Sequence, residues 1–327
     1  MKKGLFSIIS AVLCFVIIVS TVGCTKFAEN MDESNTDGSN IYSESASDVL
    51  IQNQTEKGTQ KSTEKKTDKK TDKSTEKNTE KNTEKNTEKQ TEAPITFNVR
   101  FASYNIFHGQ KAGYDYSKIA KNITSNGIEI AGFQEVDNNT KRCGKVSQIK
   151  KIAEKTGYQY YKFFKAINHD GGEYGLGIVS KYPIESTNLI KLSSANSEQR
   201  ILAHAVINVK GTKINFFVTH LSYDGEEGGA SRSKQFKEVA TELAKYDNFV
   251  LSGDFNTRNL DEYNVISGSA LVNSKADPQV TYPDGRSPLD NLVYSTSVWK
   301  FDKIKVVTGS YSDHYMIHSL GTFTKAK

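Results

Sequence analysis

Val250-Leu251-Ser252-Gly253-Asp254-Phe255-Asn256 is a run of apolar and small residues that closes on a carboxylate and an amide. A short apolar run bounded by polar residues is what a strand covered on both faces requires, so the reading places a buried strand over 248–254. Outward from it, strands and helices alternate. Residues 97–106 alternate and are rich in β-formers, and 116–125 carries apolar and aromatic residues at helical spacing until Asn126-Gly127 stops it. A second strand, apolar enough to be central in a sheet, is expected over 128–136, and a second helix over 147–156, closed by Gly157. A β-dense stretch follows, with strands over 175–180, 200–209 and 213–220, the last two forming a hairpin about Lys210-Gly211-Thr212. Residues 231–246 are amphipathic and helical, and strands over 289–295, 299–307 and 315–323 complete the pattern. Two groups of strands with a few helices between them predict an α/β sandwich: two mixed sheets packed face to face with helices outside. A parallel dinucleotide-binding sheet fits less well, because hairpins need antiparallel pairs and no G-x-G-x-x-G follows the first strand.

Polar residues recur at the carboxyl ends of these strands. Asn105 closes 102–105, Glu135 closes 130–135, His220 closes 216–220, Asp254 and Asn256 close the run quoted above, and Asp313 with His314 precedes the last strand. A single polar residue at a strand end is what any turn needs; the repetition is harder to assign to turns alone. Strand ends gathered by a sheet share one mouth, and a mouth dominated by oxygen donors suits Mg²⁺, a hard cation that prefers carboxylates and water.

Six short motifs carry a resemblance. Ser-Tyr-Asn-Ile at 103–106, Gln-Glu-Val at 134–136, Gly-Leu-Gly-Ile-Val-Ser-Lys-Tyr-Pro-Ile at 175–184, Thr-His-Leu at 219–221, Gly-Asp-Phe-Asn at 253–256 and Ser-Asp-His at 312–314 resemble, in that order, the motifs of the endonuclease/exonuclease/phosphatase superfamily. The resemblance covers essentially all of 97–323. It implies the deoxyribonuclease I-like fold, a four-layered α/β sandwich, and a metal-dependent hydrolase of phosphate esters. It also implies roles. Glu135, with Asn105 nearby, would hold the Mg²⁺, with Mn²⁺ as the alternative. Asp254 would orient or deprotonate the attacking water, and Asn256 would donate to a non-bridging oxygen of the transition state. His220 and His314 would sit on the phosphate, with Asp313 accepting from the His314 ring to fix its tautomer. Which imidazole protonates the leaving group stays open. Asp290, in Ser-Pro-Leu-Asp-Asn, matches the family's Asp before a late strand; Asn291 stands where the family has an aromatic or basic residue, which puts the lining of the leaving-group side in question.

Outside the motifs, His204 and His318 read as strand histidines, packed or exposed, whereas His108 and His169 have a claim to the rim of the site. Glu173 and Tyr174, in the Gly-rich stretch 170–175, read equally as a loop shaping substrate entry or as a plain turn. Arg142 and Arg200 are candidates for a second phosphate or headgroup clamp, because guanidinium matches phosphate oxygens two at a time; surface charge is the alternative. Cys143 reads as structural.

The chain has 327 residues, and its 36% hydrophobic content is too low for a multi-span membrane protein. Three cysteines cannot staple a fold of this size. Residues 1–24 begin with Lys2 and Lys3 and continue through an uncharged apolar run, the shape of a signal peptide. Thr21-Val22-Gly23-Cys24 resembles the lipobox of bacterial lipoproteins, which implies acylation at Cys24, although Thr21 stands in place of the usual Leu. A cleaved secretory signal or an uncleaved anchor is the alternative, and each reading puts the rest of the chain outside the cytoplasm. Residues 25–93 contain the repeat TEKK, TDKK, TDKS, TEKN, TEKN, TEKN, TEKQ, TEAP, with no large apolar residue to offset the entropy of ordering it. A disordered stalk follows from that composition. Residues 94–327 form the catalytic domain, with 29 Lys and Arg against 23 Asp and Glu. That excess suits an anionic substrate and falls short of the basic stripe of a nucleic-acid binder. The expected function is hydrolysis of small or lipid-headgroup phosphate mono- or diesters by a membrane-tethered monomer. A surface nuclease of the same fold is the alternative, with a non-catalytic binding module behind it.

Overall fold

A computed structural model describes residues 93–195, 197–223 and 230–327; the signal-type segment with Cys24 and the repeat lie outside the described residues. In the first half, β1 (Ile95–Asn105), α1 (Tyr116–Ser125), β2 (Ile130–Asn138), α2 (Gln148–Thr156), β3 (Tyr160–His169), β4 (Gly172–Ser180) and β5 (Ile184–Lys191) follow in turn. The second half holds β6 (Ile201–Val209), β7 (Thr212–His220), α3 (Ala230–Leu243), β8 (Phe249–Asp254) and β9 (Ser269–Leu271). Last come β10 (Asp290–Ser295), β11 (Trp299–Phe301), β12 (Lys305–Val307) and β13 (Met316–Lys325). Local chemistry sets several of these limits: the Asp115 carboxylate accepts from the Ser117 N–H at the start of α1, and left-handed Gly157 ends α2.

One sheet has the order β11-β13-β1-β2-β4-β3, with β12 also on β13; the other runs β5-β6-β7-β8-β10-β9. Their period-two alternation sorts side chains into separate cores. Phe101, Ile130, Phe216, Val218, Val250 and Leu292 meet between the sheets. Tyr104 and Phe133 face Ile119, Ile123, Ile149 and Ile152 of α1 and α2. Phe217, Leu251 and Phe255 face Phe236, Val239 and Leu243 of α3. Three cores between four layers make the expected helix-sheet-sheet-helix sandwich. Among the described residues, no helix is long and apolar enough to cross a membrane.

The strand expected over 299–307 is two. Its register on β13 slips by one residue between Phe301 opposite Gly321 and Lys305 opposite His318; the Asp302 N–H still donates to Leu320 O, and 303–304 leave the ladder. Strands β3 and β5 sit at sheet edges with many exposed side chains, and the sequence offered little apolar alternation to find them.

The sheets pack tightly at Gly132. A Cβ there would lie 2.0 Å from Ser252 Oγ and 2.7 Å from Val218 Cγ2, both on the facing sheet. Gly132→Ala should therefore wedge the sandwich apart and cost about 1–3 kcal/mol, the usual scale of overpacking. The check is urea denaturation, with a lower midpoint at unchanged slope expected; an unmoved midpoint would show that the sheets part freely.

Candidate active site

Alternation also decides which polar side chains meet. In β1, Asn105 shares the parity of Phe101 and so faces the space between the sheets; in β7, β8 and β10, His220, Asp254 and Asp290 share the parity of Val218, Val250 and Leu292. Strand β8 lies between β7 and β10, with Asp254 directly opposite both His220 and Asp290. Glu135 reaches the same space by another device. Phe133 and Val136 both face the helices although three residues apart, because the register of β2 on β4 shifts between them, and Glu135 takes a left-handed φ of 57°. This bulge turns Glu135 toward Asn105.

The result is one chain of polar contacts across both sheets. Asn105 Nδ2 donates to Glu135 Oε1 at 2.9 Å and to Asp254 Oδ2 at 3.0 Å. Asp254 Oδ2 lies 3.4 Å from His314 Nε2 and 3.5 Å from His220 Nε2. His314 Nδ1 meets Asp290 Oδ2 at 2.9 Å. Asp254 Oδ1 accepts from the Asn256 N–H, and Asn256 Nδ2 donates to Leu221 O and contacts His220 Nε2 at 3.1 Å. With that amide nitrogen turned toward it, His220 Nε2 is an acceptor, so the ring is neutral with its proton on Nδ1.

Electrostatics separates the two imidazoles. Burial, followed by Arg200 and His314, holds His220 well below its ordinary value. Burial opposes charge on His314 too, but the Asp290 and Asp254 carboxylates outweigh it and hold the ring protonated up to about 10. Burial pushes Asp254 up to about 7, with His314 pulling it down and Asp290 adding to the rise. Glu135 is raised, again chiefly by burial.

Several expectations are corrected. Asp313 does not hold the His314 ring; Asp290 does, while Asp313 Oδ1 accepts from Ser312 Oγ and the residue stands on the wall of the cleft. The reason is positional: Asp290 is on a strand aimed inward, and Asp313 lies in the turn before β13. Asn105 presents its nitrogen to the carboxylates and its oxygen to the Phe107 N–H, so in this arrangement it orients Glu135 and Asp254. Both N–H bonds of Asn256 are engaged by Leu221 and His220, so donation to a substrate oxygen would have to displace His220. Asn291 lies on the opposite face of β10, exchanging hydrogen bonds with the Asn273 backbone, and takes no part in lining the site.

Arg142 is committed elsewhere. Its Nε and NH2 donate to Asp137 at 2.6 and 2.8 Å, and its guanidinium lies over the Tyr174 ring. It therefore braces the wall behind Glu135 with one edge of its fork on Asp137. Arg142→Ala is expected to cost about 2–3 kcal/mol of stability with KM unchanged, below the full figure for a buried pair because the guanidinium is 29% exposed. A raised KM at an unchanged melting temperature would return the residue to the substrate. Arg200 is buried, paired with Glu198 at 2.9 Å, and lines the small space between Tyr174 and His220. Tyr174 and Glu173 belong to β4, not to a loop, and burial raises the Tyr174 hydroxyl well above its usual range. His108 is buried with Nδ1 4.0 Å from Glu135 Oε2, and burial lowers it. His204 stacks on Phe217 and meets Asn215, His318 is buried in β13, and Cys143 is a buried free thiol.

A cleft of about 350 Å³ opens over His314, walled by Asn256, Asp313, Leu289, Tyr223, Tyr282 and Arg258. Tyr282 sets its ring edge-on to His314 at 5.0 Å between centroids. Sequence reasoning missed Tyr223, Tyr282 and Arg258, which lie in connections with no periodicity to mark a face; only the position of Arg258, two residues after Asn256, pointed to it. One ligand atom each from Asp254, Asp290 and His314 lie within 4.8 Å of one another and could hold a cation. Glu135, also presenting carboxylate oxygen, is the other group in the mouth that could do so.

The sequence profile of the Endonuclease/Exonuclease/phosphatase family matches residues 95–314. Among solved structures, an endonuclease/exonuclease/phosphatase family protein from Bacteroides thetaiotaomicron is 17% identical over 71% of this chain and 97% of its own, with a TM-score of 0.58. A mannosyl-6-phosphatase from B. thetaiotaomicron VPI-5482 is 17% identical over 68% and 98%, with a TM-score of 0.54. The human Nocturnin catalytic domain, solved with a bound sulfate anion, is 18% identical over 71% and 98%, with a TM-score of 0.55. At these identities the structural likeness speaks for the fold. No curated protein matches the chain by sequence. The profile spans most of the sandwich and every strand end described above, and on that ground the chain belongs to the endonuclease/exonuclease/phosphatase family, hydrolases of phosphate ester bonds.

Proposed function

We propose that the protein is an extracytoplasmic, Mg²⁺-dependent phosphoesterase that hydrolyses small-molecule or lipid-headgroup phosphate esters, tethered to a membrane through acylated Cys24. The observation that carries the reading is the unbroken contact chain from Glu135 through Asn105, Asp254 and His314 to Asp290, which sets a carboxylate raised by burial beside an imidazolium held protonated by two carboxylates. The donor set fits a hard divalent cation. Glu135 offers carboxylate oxygen, and the buried Asp290 Oδ1 has no hydrogen-bond partner. Glu135, oriented by Asn105, is the residue assigned to the cation. When bound, the cation neutralises charge on the phosphoryl oxygens and orients the ester.

The chain's own groups do the rest. Asp254, held by Asn105 and the Asn256 N–H, accepts a proton from the water whose oxygen attacks phosphorus. The ester P–O bond breaks as the new one forms. His314, anchored by Asp290, is the one imidazole of the pair that carries charge, and it faces the negative phosphoryl group as an electrostatic partner. Neutral His220 fixes Asn256 and the near side of Asp254.

Size and charge favour a small ester over a polymer. The cleft holds about 350 Å³. The domain's 29 Lys and Arg against 23 Asp and Glu are a modest excess for a phosphate track, and some of those cations face carboxylates, Arg142 with Asp137, Lys165 with Glu173 and Lys275 with Asp261. The test incubates the full-length chain and its Asp254→Ala variant with Mg²⁺, with and without EDTA, on plasmid DNA, RNA, a sugar phosphate monoester, sphingomyelin and an inositol phospholipid. EDTA-sensitive cleavage of a small ester or a lipid headgroup, lost in the variant, is expected. Cleavage of DNA or RNA alone would make the protein a nuclease, and no cleavage of any would make it a binding module. Intact mass tests the tether: the mature chain should begin with an acylated Cys24.

A further inference from the structure

Helix α3 carries two polar residues on the stripe it turns to its sheet. Arg232, Gln235, Phe236, Val239 and Leu243 recur at helical spacing and are all buried, yet the first two are a charge and an amide. Burying either is costly unless its polar atoms are met. What meets them is chiefly the backbone at the ends of the two strands that carry His220 and Asp254. Arg232 Nη1 donates to Asn256 O at 2.9 Å and reaches Ser222 O at 3.4 Å. Its Nε and Nη2 face the Glu262 carboxylate at 3.0 and 3.4 Å, so the guanidinium is itself anchored while it holds the carbonyls. Gln235 adds a second grip on Ser222. Its Oε1 accepts from the Ser222 N–H at 2.9 Å, and its Nε2 donates to Ser222 Oγ at 2.9 Å and to Ser193 O at 2.7 Å.

Ser222 comes two residues after His220, and Asn256 two residues after Asp254. His220 and Asp254 face the space between the sheets, whereas Leu221 and Phe255 face α3, so Arg232 takes hold of both strand exits from the side opposite the reacting groups. Asn256 is the more demanding of the two. Its φ of 52° is left-handed, a conformation that a residue other than glycine keeps only where its surroundings impose it. Its N–H donates to Asp254 Oδ1 while its carbonyl accepts from Arg232, so the guanidinium fixes the turn that orients the base. We propose that Arg232 is a positioning residue of the reaction, which through Ser222 and Asn256 sets His220, Asp254 and Asn256 for the substrate without touching it. The inference rests on the phosphoesterase reading for the roles of those three residues. Arginine suits the task because its planar fork keeps Glu262 on one edge while the remaining nitrogen meets the carbonyls, a geometry that a point-charge ammonium cannot reproduce.

The test uses the full-length chain as wild type, Arg232→Met, Arg232→Lys and Leu243→Ala, with the ester that wild type cleaves in the panel above. Arg232→Met should lower kcat about 10²-fold, the scale of displacing a reacting group by about an ångström, with KM unchanged. Arg232→Lys, which keeps the charge and can reach one carbonyl, should recover about tenfold of that loss. Leu243→Ala loosens the same helix on the same core and should lower the melting temperature with kcat as in wild type. In an Asp254→Ala background, Arg232→Met should cost less than about threefold, because the group it places is gone. Deuterium uptake needs no substrate: in both Arg232 variants the amides of 220–222 and 255–257 should exchange faster, with the β1–β13 ladder as in wild type. Arg232→Met at wild-type kcat, an equal loss with and without Asp254, or faster exchange throughout the domain would overturn the proposal. If Arg232→Met does not fold, Arg232→Lys is judged by the same three outcomes. Local exchange in the Arg232 variants, with no ester cleaved by wild type, would leave the hold on the two turns standing and remove the phosphoesterase reading; cleavage by Arg232→Met with wild-type kinetics would do the reverse.

Discussion

Asp254→Ala should lower kcat by at least about 10²-fold, the usual scale for loss of a positioned acid-base group, and leave KM largely as it is. No other side chain in the mouth touches so many partners. Its two oxygens meet Asn105, the Asn256 N–H, His220 and His314, and the residue is 1% exposed. Its neighbours are poor substitutes as a base: His314 is already protonated, His220 Nε2 is taken up by the Asn256 amide, and Glu135 lies on the far side of Asn105. Asp254→Asn keeps the shape, removes the proton acceptor, and should lose nearly as much. Steady-state kinetics on whichever ester wild type cleaves is the measurement, with melting temperature as the control for folding. Activity retained in both variants would sink the site.

The second large effect separates two neighbouring aspartates. Asp290→Asn should cost about 10²-fold or more in kcat, because it removes the carboxylate that holds the charged His314, whereas Asp313→Asn should cost far less. The same variant has a pH signature. His314 is raised from 6.5 to about 10, so its contribution to stability is fully present below pH 6.5 and is lost as pH rises through 10. In Asp290→Asn the ring keeps Asp254 at 3.4 Å and the more distant charge of Asp313 but loses its hydrogen-bonded carboxylate, so this alkaline loss should shrink and move to lower pH. Melting temperatures of wild type, Asp290→Asn and Asp313→Asn between pH 6 and 10 decide it. Equal profiles for wild type and Asp290→Asn would return the ring to Asp313.

Much of this site was legible before any coordinates. The strand-end residues Asn105, Glu135, His220, Asp254 and His314 converge as their positions implied, because a sheet gathers the ends of its strands whatever the details of packing. The helix over 116–125 has the limits its periodicity gave, with Asp115 as its cap. What was illegible shares one cause. Asp313 sits beside His314 in sequence and Asp290 lies 24 positions away, yet it is Asp290 that reaches the ring. Arg142 read either as a phosphate clamp or as surface charge, and neither reading showed that one edge of its fork meets Asp137, which is fully buried. Edge strands β3 and β5 were hidden because half-exposed edges tolerate polar residues on both faces.

The sequence by itself therefore determined the family, the sandwich and the roster of groups at the mouth. These depend on local properties, namely alternation, helical spacing, strand-end chemistry and the order of motifs along the chain. Tertiary structure alone decided the pairings: which carboxylate charges which imidazole, how a bulge in β2 aims Glu135, and how Tyr282 comes to sit edge-on to His314. Those outcomes turn on distances of a few ångströms between residues far apart in the chain, and hydrogen bonds and Coulomb interactions in a buried site are sensitive to that separation, on which sequence spacing is silent.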